Sequence, residues 1–302
     1  MSFLAYAFGF LAAVANAAAN VLQRAANRDE SEELEFSLKL IGRLLRKRVW
    51  LAGVAAIAGS FFLQAAGLGL GTLAAIEPLL VLELPLTLIA SAIWLGGALG
   101  RREWLTIIGM SVGTIALIAF LGPQGGNTQQ IAWWIWFIAI VVTVGAVAVA
   151  FWLGHHYTDP GRRSALLGIG TGVAYGLAAA LTKGMTVEFT RGGIVGVLTA
   201  WELYAAIVVG VFAAWLHQNA VNAGRLVAAQ PGVTLADPYV SIIWGAVVFG
   251  ETFRSGFWIV LAIAGGVLMS ACAVILAGAS ALHGEEAAQE EGHRQPEAAQ
   301  EG

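Results

Sequence analysis

Nine apolar stretches, each close to the length of a membrane-crossing helix, leave this chain almost no residues from which to build a water-soluble core. They run from Phe3 to Gln23, Val49 to Ala66, Gly71 to Gly97, Glu103 to Leu121, Ile131 to Leu153, Ser164 to Thr186, Gly193 to Leu216, Gly224 to Phe249 and Gly256 to Gly278. A hydrocarbon core of roughly 30 Å is crossed by about 20 helical residues. With 58% hydrophobic and 12% charged residues the composition lies outside the range of soluble domains. The first stretch, interrupted by Asn16 and Asn20 and without a basic leader, reads as a span rather than a signal peptide. The expected fold is an all-α polytopic protein of the cell membrane, plasma or inner. Its 38 glycines are the packing device that small residues provide in lipid. Such small-residue faces are also compatible with a homodimer.

Orientation follows from the cations between spans. Arg24, Arg28, Lys39, Arg43, Arg46, Lys47 and Arg48 fall in the first loop, Arg101 and Arg102 in the third, Arg162 and Arg163 in the fifth. With nine spans these loops share one side, together with Arg225 and Arg294. The opposite side collects only Lys183, Arg191 and Arg254. The N-terminus is therefore expected outside and the C-terminus in the cytoplasm. Residues 33–48 carry Leu34, Leu38, Ile41, Leu44 and Leu45 at helical spacing with cations between them, which suits an amphipathic helix on the cytoplasmic surface. A tenth span is the other reading of that segment. Residues 281–302 form an acidic, low-hydrophobicity tail expected to be disordered.

A second pattern subdivides the chain. Two of its seven prolines, Pro78 and Pro85, recur 153 residues later as Pro231 and Pro238, and each pair flanks a carboxylate, Glu83 and Asp237. Gly113 falls on Gly266 at the same offset. Spans one to four (residues 1–122) thus correspond to spans six to nine (residues 163–280), and span five with its flanks (residues 123–162) links them. The intervening number of crossings inverts the second set, giving two inverted repeats. Internal duplication with interrupted helices and acids near the midplane is the sequence pattern of a secondary transporter.

On an ideal helix Glu83 lies ~18 Å beyond Gly71 and Asp237 ~20 Å beyond Gly224. A carboxylate at that depth is costly unless it faces protein or water, so Glu77, Glu83 and Asp237 are candidate substrate- or ion-binding residues. A structural carboxyl bonded to a neighbouring helix is the competing reading. Each proline removes a backbone donor and displaces the helix from the carbonyl four residues earlier. Pro78, Pro85, Pro231 and Pro238 are therefore expected to act as helix breaks that free the carbonyls of Ala74, Val81, Val227 and Thr234; kinks that merely shape the bundle are the alternative. Asn16, Asn20, Tyr175 and Gln230 are neutral candidates for the same space, as are Gln64 and Tyr239. Lys183 is expected near a membrane surface, leaving the acids without basic partners and favouring a cationic ligand or proton coupling. Glu202, beside Trp201 and Tyr204, and the Trp133/Trp134/Trp136 cluster read as interfacial. His155, His156 and Asp159 read as solvated loop residues. The single Cys272 permits no intrachain disulfide. No Walker lysine loop, His-Glu-x-x-His, Gly-x-Ser-x-Gly or paired-Cys motif occurs, and Gly168, Gly170 and Gly172 lie inside a span, where helix packing is their natural role. No enzymatic activity, cofactor or nucleic-acid partner is expected.

The segment from Leu63 through Glu77-Pro78 and Glu83-Leu-Pro85, followed by Arg102-Glu103-Trp104, resembles the EamA-like proteins of the drug/metabolite transporter superfamily. Thr234-Leu-Ala-Asp237-Pro238 leading to Val248-Phe-Gly250-Glu251 is similar to the proline and Gly-Glu element of the second repeat in that family. The resemblance implies an inverted-repeat bundle that moves a small polar or cationic solute through a cavity between the repeats, with proton coupling among its drives. The first repeat departs from the pattern, carrying Ala98 where the second has Glu251. Nine spans with a long basic first loop also resemble NIPA-type magnesium transporters, which makes a divalent cation the alternative substrate. A membrane scaffold without transport is the third reading.

Overall fold

The computed structural model describes residues 2–27, 47–95, 99–126, 131–223 and 226–276. Most of the proposed amphipathic segment 33–48 and all of the tail 281–302 lie outside the described residues.

The described chain folds into helices: α1 Phe3–Asn27, α2 Arg48–Leu70, α3 Leu73–Leu80, α4 Glu83–Leu95, α5 Arg101–Leu121, α6 Trp133–His156, α7 Pro160–Thr199, α8 Trp201–Asn222, α9 Leu226–Val247 and α10 Phe257–Leu276. Eight of the membrane-length segments, with α3 and α4 together as one, are long and apolar enough to cross a bilayer. The remaining expected span is present as α9, but Gln230, Thr234, Asp237 and two prolines leave it less apolar than the others. Large apolar side chains such as Ile93, Val208, Phe257 and Ile275 point outward from the bundle. An outer surface this apolar suits lipid and not water; this is a polytopic membrane protein.

Local chemistry accounts for several boundaries. Pro160 occupies the first turn of α7, where its missing N–H costs nothing, and the Asp159 carboxylate accepts from the Arg162 N–H at 2.9 Å. Asp159 is thus a helix cap rather than a free loop acid. Gly122, at φ +53°, ends α5 in the left-handed region while its N–H reaches the Ile118 carbonyl at 2.9 Å. The seventh span begins later than the sequence suggests. Helix α7 runs on to a kink at Gly193 (φ 60°, ψ −145°) and a further short turn, and α8 starts at Trp201 after Ala200 adopts extended backbone.

Close helix approach through glycine organises the bundle. A Cβ at Gly172 of α7 would meet the Val233 carbonyl oxygen of α9 at 2.6 Å, and one at Gly176 would meet Val240 Cγ1 at 2.7 Å. On the other side of the same contact, Gly232 lies against the α7 backbone at Ile169 and Ala165. The second such crossing joins α5 to α10, where a Cβ at Gly113 would meet Met269 N at 2.5 Å and one at Gly265 would meet Leu117 N at 2.6 Å. Hydroxyls bridge neighbouring helices as well: Ser60 donates to the Ala12 carbonyl at 2.9 Å, and Ser164 to that of Ala220 at 2.7 Å.

Candidate functional site

The first proline helix is broken, and the break sets where its acids go. Helix α3 ends after Leu80, Val81 and Leu82 form a turn, and α4 restarts at Glu83. Pro85 consequently sits in the first turn of a new helix and does not leave the Val81 carbonyl free. That oxygen accepts from the Leu84 N–H at 3.2 Å, while Leu82 N–H bonds the Leu79 carbonyl at 3.1 Å. Tight i to i+3 bonds of this kind absorb the groups the proline disrupts. By contrast Pro231 and Pro238 lie within one continuous helix, α9.

The two proline elements pack directly on one another, α3 against α9, with α1 against both α3 and α4. Glu77 on α3 is buried to 2% exposure; its Oε1 accepts from Gln64 Nε2 of α2 at 2.9 Å, and its Oε2 has no hydrogen-bond partner. Asp237 on α9 lies within electrostatic reach of both Glu77 and Glu83. Ser241 donates to Asp237 Oδ1 at 3.3 Å, and Tyr175 of α7 is close enough to feel its charge. Asn20 of α1 donates to Glu83 Oε1 at 2.7 Å, and Asn16 hydrogen-bonds the same carboxylate. Glu83 and Asp237 are only half-buried although they lie on mid-bundle elements. Thr87 and Ser91 follow Glu83 at four-residue steps, on one face of α4, and neither hydroxyl has a partner.

Of the residues expected at this place, Glu77, Glu83, Asp237, Asn16, Asn20, Gln64 and Tyr175 come together. Two do not join them by any recorded bond. Gln230 makes a long 3.5 Å contact with Thr234 within its own helix, and the Tyr239 hydroxyl bonds the Gly266 carbonyl at 2.9 Å and Ser270 at 2.8 Å on α10. The acids are close enough to interact, but among the described residues no three His, Cys, Asp or Glu side chains converge as ligands of one metal ion.

An ion pair that the spacing does not announce stands beside these residues. Lys183 is 3% exposed, and its Nζ lies 2.6 Å from Glu251 Oε1. The same ammonium donates to the Gly71 carbonyl at 3.0 Å and rests 5.0 Å from the centre of the Phe249 ring. Glu251 also receives the first N–H groups of α3, Leu73 N on Oε1 at 2.6 Å and Ala74 N on Oε2 at 3.0 Å. An anion on a helix N-terminus completes donors that lack intrahelical partners and complements the helix dipole. Glu251 thus joins the end of the Asp237 element to the start of the Glu77 element, with Lys183 of α7 as counter-ion. Glu251 was not among the acids expected to lack basic partners, and it has one in Lys183. Beside this bridge, Gln124 and Thr252 exchange backbone hydrogen bonds of 2.9 and 3.0 Å, drawing the α5–α6 and α9–α10 connections together. A correction concerns Trp136. It is 4% exposed and packs edge-on against Trp201 and Phe249, so it belongs to the core and not to an interfacial anchor.

No protein-family model matches this chain, and no solved structure matches it. It is 32% identical over 212 residues to an uncharacterized protein of Corynebacterium glutamicum, the matched stretch covering 70% of this chain and 72% of that protein. On that likeness the chain belongs to the same family as the corynebacterial protein.

Proposed function

We propose that this protein is a secondary transporter of the drug/metabolite, EamA-like type, moving a small polar or cationic solute between two inverted repeats. One observation carries the reading: Glu77, on the first proline helix, which packs against the second proline helix that bears Asp237, is buried with one carboxylate oxygen without a partner, and Glu83 lies just past the break in its own helix. A purely structural carboxyl is bonded on both oxygens, because an unsatisfied buried acceptor costs about 1–3 kcal/mol. A buried acceptor without a partner, beside two further acids, suits a ligand that arrives and leaves. The contact of Gly113 with Gly265, next to its repeat-equivalent Gly266, supports the inverted repeat, since equivalent elements meet near an internal two-fold axis. In this reading the Lys183–Glu251 bridge closes the outer side, and the Asn20, Glu83, Thr87 and Ser91 side chains run toward the cytoplasmic loops.

Magnesium is the weaker alternative, because a small ion needs oxygen ligands gathered closely around it, and the acids are not so gathered. The test is flux into proteoliposomes of the full-length protein, screened with polar metabolites and organic cations, with and without a pH gradient. Saturable flux that Asp237→Asn abolishes supports the proposal. Magnesium uptake alone points to the alternative, and no flux of any solute with a folded protein to the scaffold reading.

A further inference from the structure

A second site lies at the end of the bundle marked by the Lys183–Glu251 bridge, where α6, α7 and α8 enclose a cleft of about 530 Å³. Its walls include Trp133, Trp136, Trp201, Glu188, Arg191 and Glu202. That volume falls in the range of small-ligand sites, ~300–1,000 Å³. The aromatic belt at a membrane surface accounts for Trp133 and Trp134, which are 78% and 53% exposed, but not for Trp136. Trp136 is buried and stands at 85° to Trp201 with ring centroids 5.4 Å apart, so two indoles form adjoining walls at a right angle. Into this corner comes Glu202, in the first turn of α8, hydrogen-bonded by the Trp201 side chain, with its Cγ close to the position a Cβ of Gly184 would take, 3.1 Å away. The cation lining the cleft, Arg191, is paired with Glu188 at 2.6 Å and also acts on Glu202. Two carboxylates against one guanidinium leave one net negative charge among aromatic faces.

From these observations we infer that the cleft binds an organic ammonium group, the cation lying against indole faces with Glu202 as counter-ion. Aromatic faces attract cations through the ring quadrupole, and a weakly hydrated alkylammonium gives up its water more readily than a metal ion does. Such a group is carried by free solutes and by zwitterionic lipid headgroups alike. The cleft also touches the closed end of the bundle: Trp136 packs edge-on against Phe249 at 6.0 Å, and Phe249 lies under Lys183. The role of this site as a recognition point ahead of the bridge rests on the transport reading, whereas its capacity to bind does not.

The experiment is calorimetric titration of full-length protein in nanodiscs with phenyltrimethylammonium, and with benzenesulfonate as the anionic counterpart. The cation should bind saturably and the anion should not. Glu202→Gln and Trp201→Leu should each weaken cation binding at least about tenfold, while Gly145→Ala, at a position with open space around it, leaves it in place; circular dichroism confirms that each variant is folded. Running the titration in phosphatidylglycerol and in phosphatidylcholine discs separates the sources. Equal affinity identifies a free solute, and weaker binding in the choline lipid identifies competition by the headgroup; both agree with the ammonium assignment. Unchanged affinity in Glu202→Gln, or equal binding of benzenesulfonate, overturns it. Loss of binding in Asp237→Asn alone would assign the cation to the central acids, sinking the cleft and sparing the transport reading. Cleft binding intact beside an absence of any flux would do the opposite.

Discussion

Replacing Lys183 by methionine removes the ammonium and keeps most of the side-chain volume, which makes it a clean probe of the bridge. The Glu251 carboxylate left behind is 4% exposed and loses the cation that stood 2.6 Å away. Removing one partner of a buried pair costs about 3–5 kcal/mol, because the remaining charge is stranded. Here Glu251 keeps the N–H groups of Leu73 and Ala74 and the favourable end of the α3 dipole, which offset on the order of 1–2 kcal/mol. A net loss of ~2–4 kcal/mol is therefore expected, seen as a fall of roughly 5–10 °C in the unfolding midpoint of the detergent-solubilised protein. The double variant Lys183→Met/Glu251→Gln strands no charge and keeps one acceptor for the α3 N-terminus, so it should recover at least half of that loss. A single variant as stable as the parent would show that the bridge does not hold the two proline elements together. A double variant less stable than either single one would refute the reasoning about stranded charge.

Gly172→Val places a branched side chain against the Val233 carbonyl and Asp237 N, 2.6 and 3.0 Å from its Cβ, and should destabilise by about 1–3 kcal/mol in the same unfolding assay. Gly145, with open space around its Cβ position, is the control, and Gly145→Ala should change stability by less than about 0.5 kcal/mol or raise it. Asp237→Asn and Glu83→Gln should fold and unfold like the parent while losing at least about tenfold in flux, because the amide keeps shape and removes charge. Activity that falls only in step with stability would mark these acids as packing groups. Asn20→Ala should lower flux by a smaller factor, since it removes the donor 2.7 Å from Glu83 but leaves Asn16; wild-type flux in that variant would place Asn20 outside the pathway.

Much of this arrangement was legible because bilayer solvation is a coarse and strong constraint. Apolar run length located most of the helices to within a few residues, the boundary between the sixth and seventh spans excepted, and the cost of a carboxylate in a span singled out Glu77, Glu83 and Asp237 as candidates. The start of α7 was also written locally, in Asp159-Pro160. What stayed hidden depended on distances between segments far apart in sequence. Lys183 lies three residues from the end of its predicted span, where a long cationic side chain ordinarily reaches the surface, and that default concealed an ion pair closed by a residue 68 positions away. The usable signal was present: Lys183 and Glu251 are opposite charges at span ends assigned to the same face. Trp136 was misread for a related reason. Three tryptophans in four residues look like one interfacial cluster, yet a helix turns them to different faces, and only Trp136 points inward.

The two proline helices match in sequence, each pair seven residues apart, but they take different conformations, and the difference follows from what flanks the prolines. Between Pro78 and Pro85 lie Leu-Leu-Val-Leu-Glu-Leu, and the chain breaks at Val81–Leu82 with its backbone groups absorbed by short i to i+3 bonds. Between Pro231 and Pro238 lie Gly232 and Thr234, and the helix continues because Gly232 lets α9 lie directly on α7. Glu251 completes the asymmetry. Its carboxylate fixes the start of α3, while the residue 153 positions before it is Ala98, which has no carboxylate to offer. On the proposed transport reading, the bridge end opens at the expense of that ion pair, so the state with the bridge closed should be the dominant one at rest. Double electron–electron resonance between labels at exposed positions on α5 and α8 near the bridge should give one narrow distance distribution in the parent and a broadened or longer one in Lys183→Met. A single unchanged distribution in both would mean that the bridge end does not move, and the alternating-access reading would fall with it.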